Sequence, residues 1–423
     1  MFETIKNAWK IEDLRKKIIF TLIMLLIYRI GTFVPVPGVN SSYIQAIIDQ
    51  SGLLGFFNII SGGAFGNFTI FAMSITPYIN SSIIMQLLTV AIPKLERLAK
   101  EGEEGRKKIA QYTRYFTVIL AFLQAFGITY GLARGAGALV KNNIWTYLIV
   151  SLTLTAGTAF LMWLGEQITD RGIGNGISLI IFTSIISRAP VAVIQLFNLT
   201  FRAKTINPLF LPVIVVFMVA LIAGVIFIDL GQRRIPVQYS KRVVGRKMYG
   251  GQSTHIPMKV NSSGVMPIIF AVSILAIPQT IAQFTSSTSG FALWVNKYFS
   301  QSSWLYASLY ALLIIFFTYF YTQISFNPVE ISNNLKQYGG FVQGIRPGKP
   351  TAEYLMRISN RLTLVGALFL ALVAIIPIVV TAITKVPMSF GGTAILIVVG
   401  VAMETSKQLE AQMLMRHYKG FLK

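Results

Sequence analysis

Catalysis, metal binding and ion coupling need carboxylates, imidazoles or thiolates gathered in one place. This chain of 423 residues has fifteen Asp and Glu, two His and no Cys. Zero cysteine removes disulfides, thiolate metal sites and cysteine nucleophiles together. His255 and His417 stand apart from one another, with no HExxH or comparable ligand pair. Neither a GxSxG elbow nor a Walker loop occurs. The run GIGNG at 172–176 looks like a nucleotide fingerprint, but it follows an apolar helical stretch rather than a strand, so it reads as a tight turn between helices. We therefore expect no metal, no cofactor and no enzymatic activity. The carboxylates are equally telling: Glu166, Asp229 and Glu404 fall at the ends of apolar stretches, Asp49 in a loop, and the others in basic loops. A proton- or sodium-coupled transporter normally buries ionisable groups within the membrane, and here no carboxylate is so placed. A carrier that binds a small solute through neutral groups such as Asn80 and Gln86 is the competing reading.

The elements that carry these residues are apolar. Hydrophobic residues make up 54% of the chain, charged ones 12%, and mean hydropathy is +0.64, which is membrane composition. Ten stretches approach the roughly 20 residues that span a bilayer: 18–34, 70–92, 115–132, 144–164, 176–196, 209–228, 264–283, 304–325, 362–381 and a short one at 391–403. One side holds 29 of the 37 Lys and Arg, the other seven when Arg188 of the fifth stretch is counted with it, and Arg29 sits inside the first stretch. Positive charge stays cytosolic, so both termini are expected in the cytosol. The basic start followed by an apolar run resembles a signal peptide, but no small-x-small site follows, so it reads as a retained first span. The net charge of +22 is spread over separate loops, which suits anionic lipid headgroups or an acidic or RNA-bearing partner better than one nucleic-acid-binding domain.

Three features break the regular pattern. The loop at 35–69 has no Lys or Arg and only Asp49 as an acid, yet it is too polar and glycine-rich for a span. It reads either as an ordinary external loop or as a segment dipping back into a protein-lined cavity. In the second span, Pro77, Asn80, Ser81, Ser82 and Gln86 share a helix with isoleucines, so that face should meet other helices or water rather than lipid. Pro267 and Pro278 interrupt the seventh span. Ten spans split into two sets of five, and because five is odd the second set enters from the opposite face, as in an inverted repeat. The fold class is thus an all-α polytopic membrane protein with ten transmembrane helices. The expected units are a cytosolic segment 1–17, a first half 18–196, an external linker 197–208, a second half 209–403 with long cytosolic loops 229–263 and 326–361, and a tail 404–423.

Six stretches in order carry a family resemblance: ISGGAFGNFTIFAMSITPYI (60–79), EGEEGRKKIAQYTRY (101–115), DRGIGNGIS (170–178), QSTHIPMKV (252–260), GIRPG (344–348) and NRLTLVGA (360–367). The chain resembles the SecY family, bacterial branch, central subunit of the Sec protein-conducting channel. The resemblance implies two inverted five-helix halves around a central pore, with a lateral gate between spans 2 and 3 and spans 7 and 8. It implies a pore ring of Ile79, Ile83, Ile181, Ile185, Ile269 and Ile397, with Ile268 and Ile395 as alternatives under a small register shift. It also implies a plug of Phe56, Phe57, Asn58, Ile59, Ile60, Ser61, Gly62, Gly63, Ala64, Phe65, Gly66, Asn67 and Phe68.

Polypeptide transport explains an aliphatic ring, because apolar side chains close a pore to ions by dewetting and flex around a passing chain, whereas charged rings select ions. Partners implied by the family are SecE-like and SecG-like membrane subunits, the SecA motor ATPase, the ribosome, and secretory preproteins with their signal sequences. The location implied is the plasma (inner) membrane. Motor or ribosome docking falls on Arg346 of GIRPG and on Lys241, Arg242, Arg246 and Lys247. Each of these cations also has a plainer reading as a topology-setting charge.

Overall fold

The computed structural model describes residues 2–40, 44, 58, 61–133, 139–202, 208, 210–239, 242–244, 247–249, 253–284, 289–299, 303–384 and 392–420. A short amphipathic helix α1 (Phe2–Trp9) precedes α2 (Glu12–Gly31). They are followed by α3 (Thr76–Ala91), α4 (Pro93–Lys100), α5 (Glu103–Ala133), α6 (Ile144–Arg171) and α7 (Gly176–Phe197). The second half runs α8 (Phe210–Leu230), α9 (Met266–Phe284), α10 (Gly290–Tyr298), α11 (Trp304–Ser325), α12 (Pro328–Gln337), α13 (Lys349–Thr384) and α14 (Gly392–Gly420). Spans 1 to 10 of the sequence correspond to α2, α3, α5, α6, α7, α8, α9, α11, α13 and α14.

Helix pairings repeat between the halves. In the first, α3 packs on α5, α5 on α6, α6 on α7, and α2 on α7; in the second, α9 packs on α11, α11 on α13, α13 on α14, and α8 on α14. Counted along each half, these four pairings match, while in the first half α2 and α3 also touch α6. The halves meet where α3 and α5 touch α9, and where α7 touches α14. Helix α8 is apolar all round, with Val213, Val216, Val219 and Phe227 exposed, as expected of a helix bordered by lipid. Helix α6 instead packs inward, burying Leu154, Leu161, Leu164 and Ile168.

Several boundaries differ from the sequence reading. The second span begins as helix only at Thr76, with Pro77 in its first turn, where a missing N–H costs nothing. Residues 70–75 are turns rather than helix, and 71–75 are buried. Pro267 likewise sits in the first turn of α9, and only Pro278 lies within it. The short tenth span is part of a 29-residue helix that runs on through the tail, and the ninth belongs to a 36-residue helix about 54 Å long at 1.5 Å per residue. The GIGNG turn is tight, as its composition suggested, and Asn175 Oδ1 accepts from the N–H of Ile177 and Ser178 to cap α7. Ala8, Leu14, Ile173 and Leu409 form one buried cluster, so the two ends of the chain lie on the same face of the bundle.

The two long loops are not independent. Strands β1 (Gln232–Tyr239), β2 (Arg242–Val244), β3 (Lys247–Tyr249) and β4 (Ser253–Lys259) come from the first, and β5 (Gly340–Val342) from the second. The sheet order β4-β1-β5 is antiparallel throughout, with Val237 opposite Val342. Ile235, Val237, Leu335, Val342 and Leu355 make its core. The pairing of the two loops is not legible in the sequence, because it joins segments about a hundred residues apart.

Candidate functional site: an apolar constriction and the segment beside it

Four helices from both halves converge on a cavity of about 30 Å³, room for about one water. Ile79 of α3, Ile181 of α7, Ile268 and Ile269 of α9, and Ile397 of α14 line it, with no ionisable residue in the lining. Four of the six isoleucines singled out in the sequence therefore face one another. The i, i+4 partners lie in the adjoining packing: Ile83, 3% exposed, joins the cluster of Ile268, Phe270 and Tyr310, and Ile185, 1% exposed, joins that of Ile181 and Ile397. On α14 the register falls on Ile397, since Ile395 packs away with Ile83, whereas on α9 both Ile268 and Ile269 reach the cavity.

The segment leading into α3 descends beside this constriction. Ala64 is fully buried in the cluster containing Ile181, Ile185 and Ile397. Phe65 and Phe68 anchor in a second cluster with Ala125, Val150 and Leu154. Deeper, the Phe71 ring stacks on Tyr28 of α2 and Phe160 of α6 at 6.0 Å, and the Ile70 carbonyl lies against Gly157 so closely that a Cβ there would overlap it. Gly157 is near the middle of α6, so the backbone reaches mid-depth of the bundle without being helical. Such backbone is tolerated in a membrane only inside protein or a cavity. Residues 61–66 and 71–75 are buried, non-helical stretches within the bundle, the geometry that a re-entrant segment needs. Phe56, Phe57, Ile59 and Ile60 lie outside the described residues.

The sequence reading missed the polar groups that receive this segment. The Tyr28 hydroxyl donates to Ser61 O at 3.3 Å and is 2.6 Å from Ser184 Oγ. Arg29 Nη1 donates to Gly62 O at 3.3 Å and to Ser187 Oγ at 3.0 Å. Asn58 Oδ1 accepts from Gly66 N–H at 2.9 Å and from Arg188 Nη2 at 3.2 Å. Arg188 was counted with the external loop cations; it lies within α7, one turn beyond Ile185. An arginine between Ser187 and Pro190 in an apolar run was the available signal.

Of the polar residues of α3, Ser81 faces a neighbouring helix, while Asn80, Ser82 and Gln86 are half-buried. Ser81 is fully buried and donates to Thr113 O of α5 at 2.9 Å. Two span-end carboxylates are ion-paired across helices, Glu166 with Arg114 at 2.8 Å and Asp229 with Lys407 at 2.7 Å. These partly exposed pairs contribute about 0–1 kcal/mol each and have the character of helix ties. Arg346 is exposed at a turn between β5 and α13, its carbonyl held by Thr351 Oγ1 at 2.8 Å, and Ser332 Oγ donates to Gly348 O at 2.6 Å. Arg242 and Lys247 lie on the β2–β3 ribbon, and Lys241 and Arg246 fall outside the described residues.

Two inverted five-helix halves closing on an uncharged constriction define a polytopic channel. The SecY family model matches residues 69–406. A protein translocase subunit SecY of Halalkalibacterium halodurans is 50% identical over the full length of both chains. The chain belongs to the SecY family. Among solved structures, one described as a protein-conducting channel has a TM-score of 0.67 at 20% identity, covering 95% of this chain and 93% of that one. Sec61 in a canine ribosome-channel complex has a TM-score of 0.60 at 18% identity, with 95% and 93% covered. These likenesses extend to the fold, and the family sets aside the small-solute carrier.

Proposed function

We propose that this chain passes unfolded secretory polypeptides through the constriction between its halves and releases apolar segments sideways into lipid between α3 and α5 on one side and α9 and α11 on the other. The convergence of Ile79, Ile181, Ile269 and Ile397 from four helices of both halves carries this reading. In it, Ile83 and Ile185 extend the ring as the halves part, and residues 56–68 are the plug that fills the external side when the pore is idle. Sideways release follows because a helix of about 20 apolar residues is more stable in lipid than in a wet pore. The membrane is the bacterial plasma membrane, with both termini and the β4-β1-β5 sheet in the cytosol, in keeping with the distribution of Lys and Arg.

The test is a crosslink map. Photoreactive groups on a stalled secretory chain should label α3, α7 and α9 at the level of Ile79, Ile181 and Ile269. Labelling confined to the lipid-facing side of α8 would sink the assignment.

Energy comes from outside, through a SecA-type motor or a ribosome docked on the joined cytosolic loops, and SecE-like and SecG-like subunits brace the halves. The solved ribosome-channel complex of the same fold supports a ribosome partner. Anionic lipid headgroups take the remaining basic loops. Arg346, displayed on a turn tied down by Thr351 and Ser332, is the partner contact we assign. Arg346→Glu should abolish motor-driven export by at least about tenfold, the effect of reversing one charged contact, while the amount of folded channel is unchanged. Normal export by that variant would return Arg346 to the topology-setting charges.

A further inference from the structure

Two guanidinium groups face the segment 61–66, and nothing in a simple apolar seal calls for them. The geometry points to an arginine latch: Arg188 of α7, with Arg29 of α2 and Asn58, holds the plug in its seat, so that releasing the plug and wetting the external side of the pore are one event. This inference rests on the channel and plug reading above.

Close contact is the first observation. The Arg188 guanidinium lies directly over Gly63, where a Cβ would overlap Nη2. Gly62 and Gly63 both have positive φ, 63° and 93°, a conformation that glycine takes at no steric cost. The turn they form presents the Gly62 carbonyl to Arg29, while Asn58 Oδ1 joins Gly66 N–H to Arg188. Residues from two spans therefore converge on one turn of the re-entrant segment.

Charge is the second. Among the described residues neither arginine has a carboxylate partner, and the two guanidinium groups lie against the adjacent residues Gly62 and Gly63. Arg188 Nε is buried with no acceptor among the described residues. Two like charges are thus held together inside the bundle largely by neutral oxygens, several of which the plug segment supplies. Burying a cation without acceptors is costly. If the plug leaves, Gly62 O and Asn58 Oδ1 go with it, and water or the carbonyls of a passing chain must replace them. An apolar plug in an apolar seat could slip by small steps, but this arrangement gives two discrete states, latched and dry or released and wet. Arg188 is accordingly a positioning residue for gating, acting through the plug.

A double-mutant cycle tests this. Idle ion conductance is measured in planar bilayers for the native channel purified with its bound subunits, for Arg188→Gln, for deletion of residues 61–66, and for both changes together. Arg188→Gln should raise conductance about tenfold, the shift expected when a hydrogen bond from a charged donor is lost, and it should add nothing once the plug is deleted. Asn58→Ala, which leaves the spans untouched, should act in the same direction, and Arg188→Lys should restore part of the closure. Because the chain has no cysteine, Ser61→Cys, at a position now buried, gives a clean probe of plug exposure, and its labelling should rise with conductance. Unchanged conductance in both Arg188→Gln and Asn58→Ala would overturn the latch, as would an equal rise with and without the plug. If the deletion itself left conductance unchanged, the plug reading would fail first.

Discussion

Deleting residues 61–66 should raise the ion conductance of the idle channel by at least about tenfold, the factor that 1.4 kcal/mol lost from the closed state produces. The deleted segment includes Ala64, fully buried among Ile181, Ile185 and Ile397. It also includes the carbonyl that accepts from Arg29. Without it the constriction is only one layer of isoleucines around a cavity of about 30 Å³. Such a layer resists ions because its lining carries no charge and is mostly aliphatic, with only the hydroxyls of Thr76, Ser273 and Thr393 among it, but the barrier is thin. Ile83→Gly should leak as well, by opening the packing that joins α3 to α9 through Ile268 and Phe270. A polar substitution, Ile181→Asn, gives a third route to leak by adding a hydrogen-bonding group that favours water in the constriction. Planar-bilayer recordings read all three. Conductance at the native level in both the deletion and Ile83→Gly would count decisively against the assigned gate.

The largest stability loss is expected from Gly157→Val. A side chain at this position of α6 starts inside the Ile70 carbonyl oxygen. Both partners are backbone, so no rotamer change relieves the overlap. Either α6 moves or residues 70–75 withdraw, and withdrawal breaks the stack of Tyr28, Phe71 and Phe160. Overpacking of a core costs about 1–3 kcal/mol where side chains can shift, and this site lies at or above the top of that range. The variant should yield little folded, protease-resistant protein and a lowered unfolding midpoint in detergent. Gly224→Ala is the control: its new Cβ would meet only the Phe369 ring at 3.7 Å, an ordinary contact, and stability should stay within about 0.5 kcal/mol. Equal behaviour of the two variants would contradict the close approach of the re-entrant backbone to α6.

Much of this protein is legible without coordinates because a bilayer imposes simple rules. Each span must be long and apolar, and loop charge orients it, so the number and order of helices follow from local composition. The lack of intramembrane carboxylates is equally local, and it weighs against an ion-coupled carrier before any fold is known. The glycines and missing charge of 60–68 marked that stretch as unusual, and Asn80, Ser81 and Gln86 marked α3 as a helix that meets protein.

Contacts between distant segments could not be obtained this way. An isoleucine in a span looks the same whether it faces lipid, a neighbouring helix or the pore, and packing alone places Ile397 at the cavity and Ile395 away from it. Residues 70–75 have the hydropathy of a helix, yet they form turns because Gly157 and the Tyr28–Phe71–Phe160 stack hold the backbone between α2 and α6. Strand β5 pairs with β1 across a hundred residues of sequence, uniting two loops that local reading treats as separate. Arg188 shows the difference most sharply: in the sequence it is one cation in the stretch 176–196, counted with the external charges, and only the fold brings it to Gly63 and Asn58. Composition is a sum over single residues, whereas a pore and its closure are relations between helices that meet only once the chain has folded.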